Sequence, residues 1–141
     1  MKDYQVTVTQ STPVTPTIKI IRLDFKDDVQ FSFEAGQLIY VTIDKDDGQG
    51  VKPYSIASPV YEKGFIELLI KRVDGGFVSN YMHNLKMGLQ LRIKGPHGQF
   101  ELSRPFSDRM LFLAVGSGLS AVRSMLFQVR REAADKRIWL F

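Results

Sequence analysis

Through the first hundred residues, apolar side chains recur at every second position in short runs, the period of a strand with one buried face. Val6 and Val8 alternate with Gln5, Thr7 and Thr9, and Leu89, Leu91 and Ile93 alternate with Gln90, Arg92 and Lys94. Between them lie residues 17–25 after a Pro-containing turn, 37–43 after Gly36, and 65–73, the strongest β run of the chain. Short strands with regular turn signals predict a sandwich or a barrel. One helix interrupts them over 78–85, where Val78, Met82 and Leu85 share a face.

The pattern changes after Ser103-Arg104-Pro105. Residues 110–115 are a continuous apolar run, expected to be a strand buried on both faces. Gly116-Ser117-Gly118 follows. Leu119, Val122, Met125, Leu126 and Val129 then fall near helical spacing and predict a helix over 119–133. Residues 137–141 are expected to start another buried strand. This β-α-β order implies a right-handed parallel pair. Two parallel strands and one helix cannot bury their apolar faces alone. Residues after about Asp108 are therefore expected to open a larger α/β domain, its remainder deleted, supplied by another chain or lying outside this sequence.

Composition narrows the chemistry. The 141 residues are 44% apolar and 24% charged, as in a globular protein, with a mild net charge of +4. Lys and Arg are mixed with acids and form no basic run with interleaved aromatics, so nucleic-acid binding is not suggested. The absence of cysteine excludes disulfides, thiol nucleophiles and cysteine-ligated zinc or iron–sulfur sites within this sequence. His83 and His97 lack metal-ligand spacing and a partner for acid–base work; both are expected at the surface, and no metal site is expected. Residues 44–50 resemble a calcium loop in composition, but the glycine is misplaced and Ser55 stands where a bidentate Glu belongs, which leaves a solvated hairpin loop. The N-terminus has no apolar signal core, and residues 110–122 are too short and too broken to span a bilayer, so cytoplasmic residence and no membrane span are expected.

Three segments carry candidate chemistry. Lys52-Pro53-Tyr54-Ser55 sets a cation, a ring and a hydroxyl within four residues. On an extended strand Lys52 and Tyr54 point one way and Ser55 the other. Gly75-Gly76 precedes the first helix, where free N–H groups suit a phosphate, though the pair equally ends a strand with Ser79 as a simple cap. Arg123, after the Gly116-Ser117-Gly118 turn, either reaches a phosphate or is a helix-surface charge. Gly95-Pro96-His97-Gly98 is expected to be a structural turn.

Taken in order, Lys52-Pro53-Tyr54-Ser55, Gly75-Gly76-Phe77-Val78-Ser79, Gly95-Pro96-His97-Gly98-Gln99-Phe100 and Gly116-Ser117-Gly118-Leu119-Ser120-Ala121 resemble the ferredoxin–NADP reductase superfamily, and more narrowly NAD(P)H–flavin oxidoreductases. The resemblance covers nearly the whole chain. It implies a mainly β fold: a six-stranded antiparallel barrel with one helix over residues 1–107. The first β-α-β of a nucleotide-binding α/β domain would follow over 108–141. It implies FAD, with FMN as the alternative, and NAD(P)H as co-substrate. Tyr54 would lie against the isoalloxazine and Ser55 near the flavin N5, the two positions closest to the chemistry. Lys52 replaces the family's Arg at a flavin phosphate and loses its bidentate fork. Pro53 completes that motif. Leu69, Ile70 and Lys71 would run along the ring and ribityl chain, and Gly75, Gly76, Phe77, Val78 and Ser79 would hold the flavin phosphates. Gly116, Ser117 and Gly118 match the nicotinamide-nucleotide loop, with Ala121 where the family has Pro. The implied partners are the pyridine nucleotide, an unidentified electron acceptor (free flavin or a redox protein), and a second copy or partner subunit covering the α/β part. The alternative is a non-catalytic flavin-binding or interaction module.

Overall fold

The computed structural model describes residues 1–45 and 48–141. Asp46 and Asp47, the middle of the expected hairpin loop, lie outside the described residues. The strands are β1 (Lys2–Pro13), β2 (Ile18–Phe25), β3 (Leu38–Lys45), β4 (Gly48–Ser55), β5 (Phe65–Lys71), β6 (Gln90–His97), β7 (Arg109–Phe112) and β8 (Arg137–Leu140). Helix α1 (Phe77–His83) lies between β5 and β6, and a 3₁₀ turn (Gly116–Gly118) leads into α2 (Leu119–Glu132).

The first six strands form one antiparallel sheet in the order β4-β3-β6-β1-β2-β5. The sheet curls until its edge strands touch: Ile56 bridges Leu68, and the Ala57 N–H donates to the Glu67 carbonyl at 2.8 Å. Alternation explains the interior. Val6, Val8, Leu23, Ile39, Val41, Ile66, Leu68, Ile70, Leu91 and Ile93 are buried in one cluster, which Val78, Met82 and Leu85 of the α1 segment join. The Phe25/Phe65 end is plugged by aromatics. Phe25 stacks on Phe31 at 4.7 Å, and Tyr4 meets both edge-on.

β4 departs from simple alternation because Gly48, Gly50 and Pro53 interrupt it, yet Pro53 is tolerated on a strand that ends the sheet order. The expected turn at Gly95-Pro96-His97 is instead the end of β6, pairing with β1 and β3; the chain reverses from Gly98, whose φ is 107°.

β7 and β8 pair in parallel across α2, as β-α-β order requires. Ala35, Phe112, Val122 and Met125 form the core of a second cluster against the barrel. Gly36 sits at this contact with φ 101°; a Cβ there would collide with the Phe100 carbonyl and lie 2.5 Å from Met125 Cε. The expectation of strands buried on both faces is corrected here. β7 spans only Arg109–Phe112, and Leu111, Leu113, Val115, Trp139, Leu140 and Phe141 are all exposed. Phe112 alone of these strands is buried, because a single helix covers a single face of the pair.

Candidate functional site

Register places the first motif. Lys52 lies opposite Val41 and Tyr54 opposite Ile39, both fully buried positions, so Lys52 and Tyr54 share the core-facing side. Ser55 lies opposite Leu38 on the other side, as alternation expects. Lys52 and Pro53 are exposed, and Tyr54 and Ser55 are half-buried. The Tyr54 ring packs on the barrel core, the ordinary structural contact, while keeping part of its surface free. Burial raises its phenol pKa, so the hydroxyl stays protonated and able to donate.

β5 collects the other segments. Its antiparallel neighbour on one side is β2; on the other side the Ile56–Leu68 bridge and the bond from the Ala57 N–H to the Glu67 carbonyl tie it to the chain that continues β4. Past that bridge β5 runs on through Leu69, Ile70 and Lys71. Leu69 and Ile70 are buried as whole residues, the Leu69 N–H donates to Ser120 Oγ, and Lys71 is exposed. Helix α1 packs against both β4 and β5, and the 3₁₀ turn packs against β5. The structure thus brings together Lys52–Ser55, Leu69–Lys71, Gly75–Ser79 and Gly116–Gly118 around one strand. The Gly95–Phe100 segment stands one step back: His97 is paired with Leu38, which also pairs with Ser55.

The Gly75-Gly76 turn is tightly built. Gly75 has φ 72°, a conformation that favours glycine. A Cβ on Gly76 would lie 2.5 Å from Ser79 Oγ and 3.2 Å from the Val73 carbonyl. Asn80 clamps the turn, its Nδ2 donating to the carbonyls of Val73 at 2.9 Å and Gly76 at 2.7 Å. The first helical bond runs from the Asn80 N–H to the Gly76 carbonyl, so the N–H groups of residues 77–79 precede the ladder. Ser79 is no cap: it lies inside the helix and its hydroxyl donates to the Gly76 carbonyl at 3.1 Å. Phe77 is exposed, Val78 is core and Ser79 is half-buried. At the 3₁₀ turn, Gly116 has φ 57°, and a Cβ on Gly116 or Gly118 would meet open space. That turn is shaped by backbone, with Ser117 half-buried between the two glycines.

Contacts made by three residues on one face of α2 escaped the sequence. The Leu69 N–H donates to Ser120 Oγ at 3.3 Å. Arg123 Nη1 donates to the Ala57 carbonyl at 2.7 Å and to Glu67 Oε2 at 2.6 Å, and the Ser124 hydroxyl donates to the Ser58 carbonyl at 2.8 Å. Arg123 is therefore neither a phosphate ligand nor a free surface charge but a tie between α2 and the seam of the barrel. Its partners lie 56 and 66 residues away, and no local spacing announces them.

His83 is also corrected. It is buried at 7% exposure, with Nε2 lacking a hydrogen-bond partner. The helix turns it inward beside Met82, and Lys19 Nζ donates to its carbonyl at 2.7 Å. Burial, then Lys19 and Arg72, lower its imidazole pKa. His97 is exposed as expected, tilted against Tyr40.

A hollow of about 720 Å³ lined by Arg22, Asp24, Lys26, Phe31 and Lys63 lies at the Phe25/Phe65 end of β2 and β5. It shares no residue with the converging segments, which meet at the Ile18/Lys71 end.

Residues 5–102 match the family described as the oxidoreductase FAD-binding domain. The chain belongs to this family. It is 38% identical over 142 residues to the phenol hydroxylase P5 protein of Acinetobacter pittii (strain PHEA-2), covering all of this chain and 39% of that protein. It is 34% identical over 128 residues to ferredoxin–NADP reductase B of Sorangium cellulosum (strain So ce56), covering 91% of this chain and 52% of that one. Among solved structures, the ferredoxin reductase in carbazole 1,9a-dioxygenase superposes with a TM-score of 0.85 at 29% identity, over 99% of this chain and 42% of that chain. A cytochrome P450 reductase of Amycolatopsis shares the fold at a TM-score of 0.88 and 22% identity, over 99% of this chain and 42% of that chain. The chain therefore spans between 39% and 52% of the length of the curated relatives it matches here.

The residues fit the flavin nucleotide that the family name implies. Lys52 supplies an exposed cation, the Gly75-Gly76 turn leads into the N–H groups of residues 77–79 that precede the helical ladder, and Tyr54 and Ser55 are two half-buried hydroxyl donors. Among the described residues, no group of His, Asp or Glu is arranged to hold a metal, and no helix is long and apolar enough to cross a membrane.

Proposed function

We propose that this chain is the flavin-binding part of an NAD(P)H-dependent oxidoreductase. Residues 1–107 form the FAD domain, and residues 108–141 open the domain that receives the pyridine nucleotide. The observation that carries this is the gathering of the Lys52–Ser55 strand, the helix that follows the Gly75-Gly76 turn and the Gly116–Gly118 turn around β5.

When bound, FAD accepts a hydride from NAD(P)H and hands the electrons on. The chain's own work is binding and positioning. Lys52 places one positive charge for a flavin phosphate, a point contact where Arg would make a fork. The N–H groups of Phe77, Val78 and Ser79, held by the Gly75-Gly76 turn and the Asn80 clamp, donate to the same phosphate group. Tyr54 and Pro53 shape the wall against the isoalloxazine. Ser55 keeps a hydroxyl proton available to the ring nitrogen that receives hydride. Leu69, Ile70 and Lys71 lend backbone along the ring. Gly116, Ser117 and Gly118 keep the second turn free of side chains so that a nicotinamide nucleotide approaches closely. No residue has to accept a proton, which agrees with the lack of an acid–base pair near this region.

The electron acceptor belongs to the same proposal. A terephthalate 1,2-dioxygenase reductase component and the phenol hydroxylase P5 protein are among the relatives, which favours an oxygenase component or another redox protein over free flavin. FAD is the flavin of this reading, with FMN as its alternative, and a cytoplasmic location completes it. The experiment is the visible spectrum of the purified chain after incubation with FAD and desalting. A retained flavin band, shifted from that of free FAD, is expected; loss of all flavin at micromolar protein would count against the site.

One observation favours a second reading, a module that docks on a partner subunit. The face formed by Leu111, Leu113, Val115, Trp139 and Phe141 is an apolar patch of the kind that marks an interface. Native mass separates the two: a clean monomer speaks against docking between copies.

A further inference from the structure

The edge strands of the barrel close on each other over a short distance. Ile56 bridges Leu68, and the Ala57 N–H donates to the Glu67 carbonyl at 2.8 Å. In an antiparallel ladder these two contacts fix the next bond, from the Leu69 N–H to the Ser55 carbonyl, and beyond it set Tyr54 opposite Ile70. Among the described residues no ladder between β4 and β5 follows, since the sheet order ends on those two strands. The Leu69 N–H makes its hydrogen bond to a side chain of the β7-α2-β8 unit, Ser120 Oγ, at 3.3 Å.

Ser120 is buried at 3% exposure in the first turn of α2. Three and four residues on, on the same helical face, Arg123 and Ser124 donate to the carbonyls of Ala57 and Ser58. One face of α2 therefore holds both rims of the seam, with Arg123 and Ser124 where it is shut and Ser120 at its last bond. An N–H on a strand edge points in the plane of the sheet, so its acceptor stands where a neighbouring strand's carbonyl would stand. The Ser120 hydroxyl thus competes with the Ser55 carbonyl for one donor. Paired strands lie about 4.8 Å apart, which leaves no room for a flat ring between them. The residues proposed to meet the flavin ring are Tyr54 and Ser55 on one rim and Leu69 to Lys71 on the other. These are the residues that pairing would join if it ran on.

We infer that Ser120 is a positioning residue: it ends the seam at Ile56–Leu68 and so keeps the two rims apart for the flavin. The inference rests on the flavin-site proposal and goes beyond it, because Ser120 acts through Leu69 and needs no contact with the cofactor.

The test compares the full chain with Ser120→Ala and Ser120→Thr, and with Ser124→Ala as a buried control on the same face. Three quantities are read: the Kd for FAD by flavin fluorescence, the urea midpoint, and hydrogen exchange of the Leu69 amide in the flavin-free chain by NMR. In Ser120→Ala the Leu69 N–H passes to the Ser55 carbonyl, so its exchange should stay slow and the urea midpoint should hold. FAD should bind about tenfold more weakly, the scale of one hydrogen bond. Ser120→Thr keeps the hydroxyl and should bind FAD within about threefold of the parent. Ser124→Ala should lower the urea midpoint while FAD affinity stays within about twofold. In Ser120→Ala, an unchanged FAD affinity, or a fast Leu69 amide together with a fallen urea midpoint, overturns the inference and leaves the flavin site standing. A Ser120→Thr chain with the parent's urea midpoint and the Ser120→Ala affinity does the same. A parent chain that binds no FAD overturns the flavin site, and the purpose given to Ser120 with it.

Discussion

In the barrel each apolar row has something to face, and in the β7-α2-β8 unit one row does not. Leu68 on β5 is fully buried, whereas Leu113 just past β7 is 72% exposed and Val115 92%. Both segments look equally apolar as text. The difference lies in closure: a curled antiparallel sheet supplies its own second wall, while a parallel pair needs layers on both sides. Hydrophobic sequence tells what a segment is suited to bury, and only its neighbours determine whether it does.

The sharpest way to test this contrast is a matched pair of substitutions. Leu68→Ala removes a packed side chain and should cost roughly 3 kcal/mol. Leu113→Ala removes an equal volume from an open face and should stay within about 0.5 kcal/mol of the parent. Urea denaturation of both variants checks the pair; comparable losses would mean that the open face is covered in solution. Next in size is Gly36→Ala, at the contact between the two regions. The positive φ and the collision with the Phe100 carbonyl and Met125 both oppose a Cβ. A loss of about 2–3 kcal/mol is expected, and a stability equal to the parent's would refute the close approach.

Arg123→Ala probes the polar joint. It strips Glu67, at 19% side-chain exposure, of its partner and frees the Ala57 carbonyl. A cost of about 2 kcal/mol is expected, and Glu67→Gln on the Arg123→Ala background should recover part of it. The double variant falling below Arg123→Ala would sink that account. In chemistry rather than stability, Ser55→Ala should slow reduction of bound flavin by NAD(P)H about tenfold, while shifting FAD affinity less than threefold. Stopped-flow reduction beside a binding titration separates the two, and an unchanged reduction rate removes Ser55 from its proposed place.

The smallest expected effect is a pH slope. His83 has a lowered pKa in the folded chain, so the unfolded chain takes up its proton first as pH falls through about 6.5. Stability should therefore decline from neutral pH downward until the folded-state pKa is reached. His83→Leu should flatten that decline in thermal melts between neutral and mildly acidic pH, and a variant with the parent's slope would assign it to other groups.

Much of this was legible in the sequence. The alternation of β1, β2, β3 and β6 and the long apolar run of β5 are clear enough to read, and the α1 face Val78, Met82, Leu85 is buried as its spacing predicts. β4 was legible chiefly through its motif, because glycines and Pro53 spoil its period. The ring plug of Phe31 and Phe33 was not legible, since those residues sit in an irregular segment. At the site, residue types and order pointed to the converging segments. What stayed hidden were side chains that act on distant backbone: Asn80 on Val73 locally, and Ser120, Arg123 and Ser124 on strands more than fifty residues away. Such contacts follow from where the chain folds back and leave no periodic trace. His83 was misjudged for a related reason, because a seven-residue helix packed against two strands leaves few positions for solvent.

Ser120, Arg123 and Ser124 give the proposed boundary near residue 107 an unusual property. They fasten α2 to Leu69, to Ala57 with Glu67, and to Ser58, the very place where the curled sheet closes on itself. The helix of the second unit is thus the bolt across the seam of the first. In the traffic of modules between reductases, a recombination point at the linker would separate lock from bolt. A graft of a foreign nucleotide half would hold only if it brought its own donors to those carbonyls, so the inheritable unit is the barrel together with one face of a helix that topology assigns elsewhere.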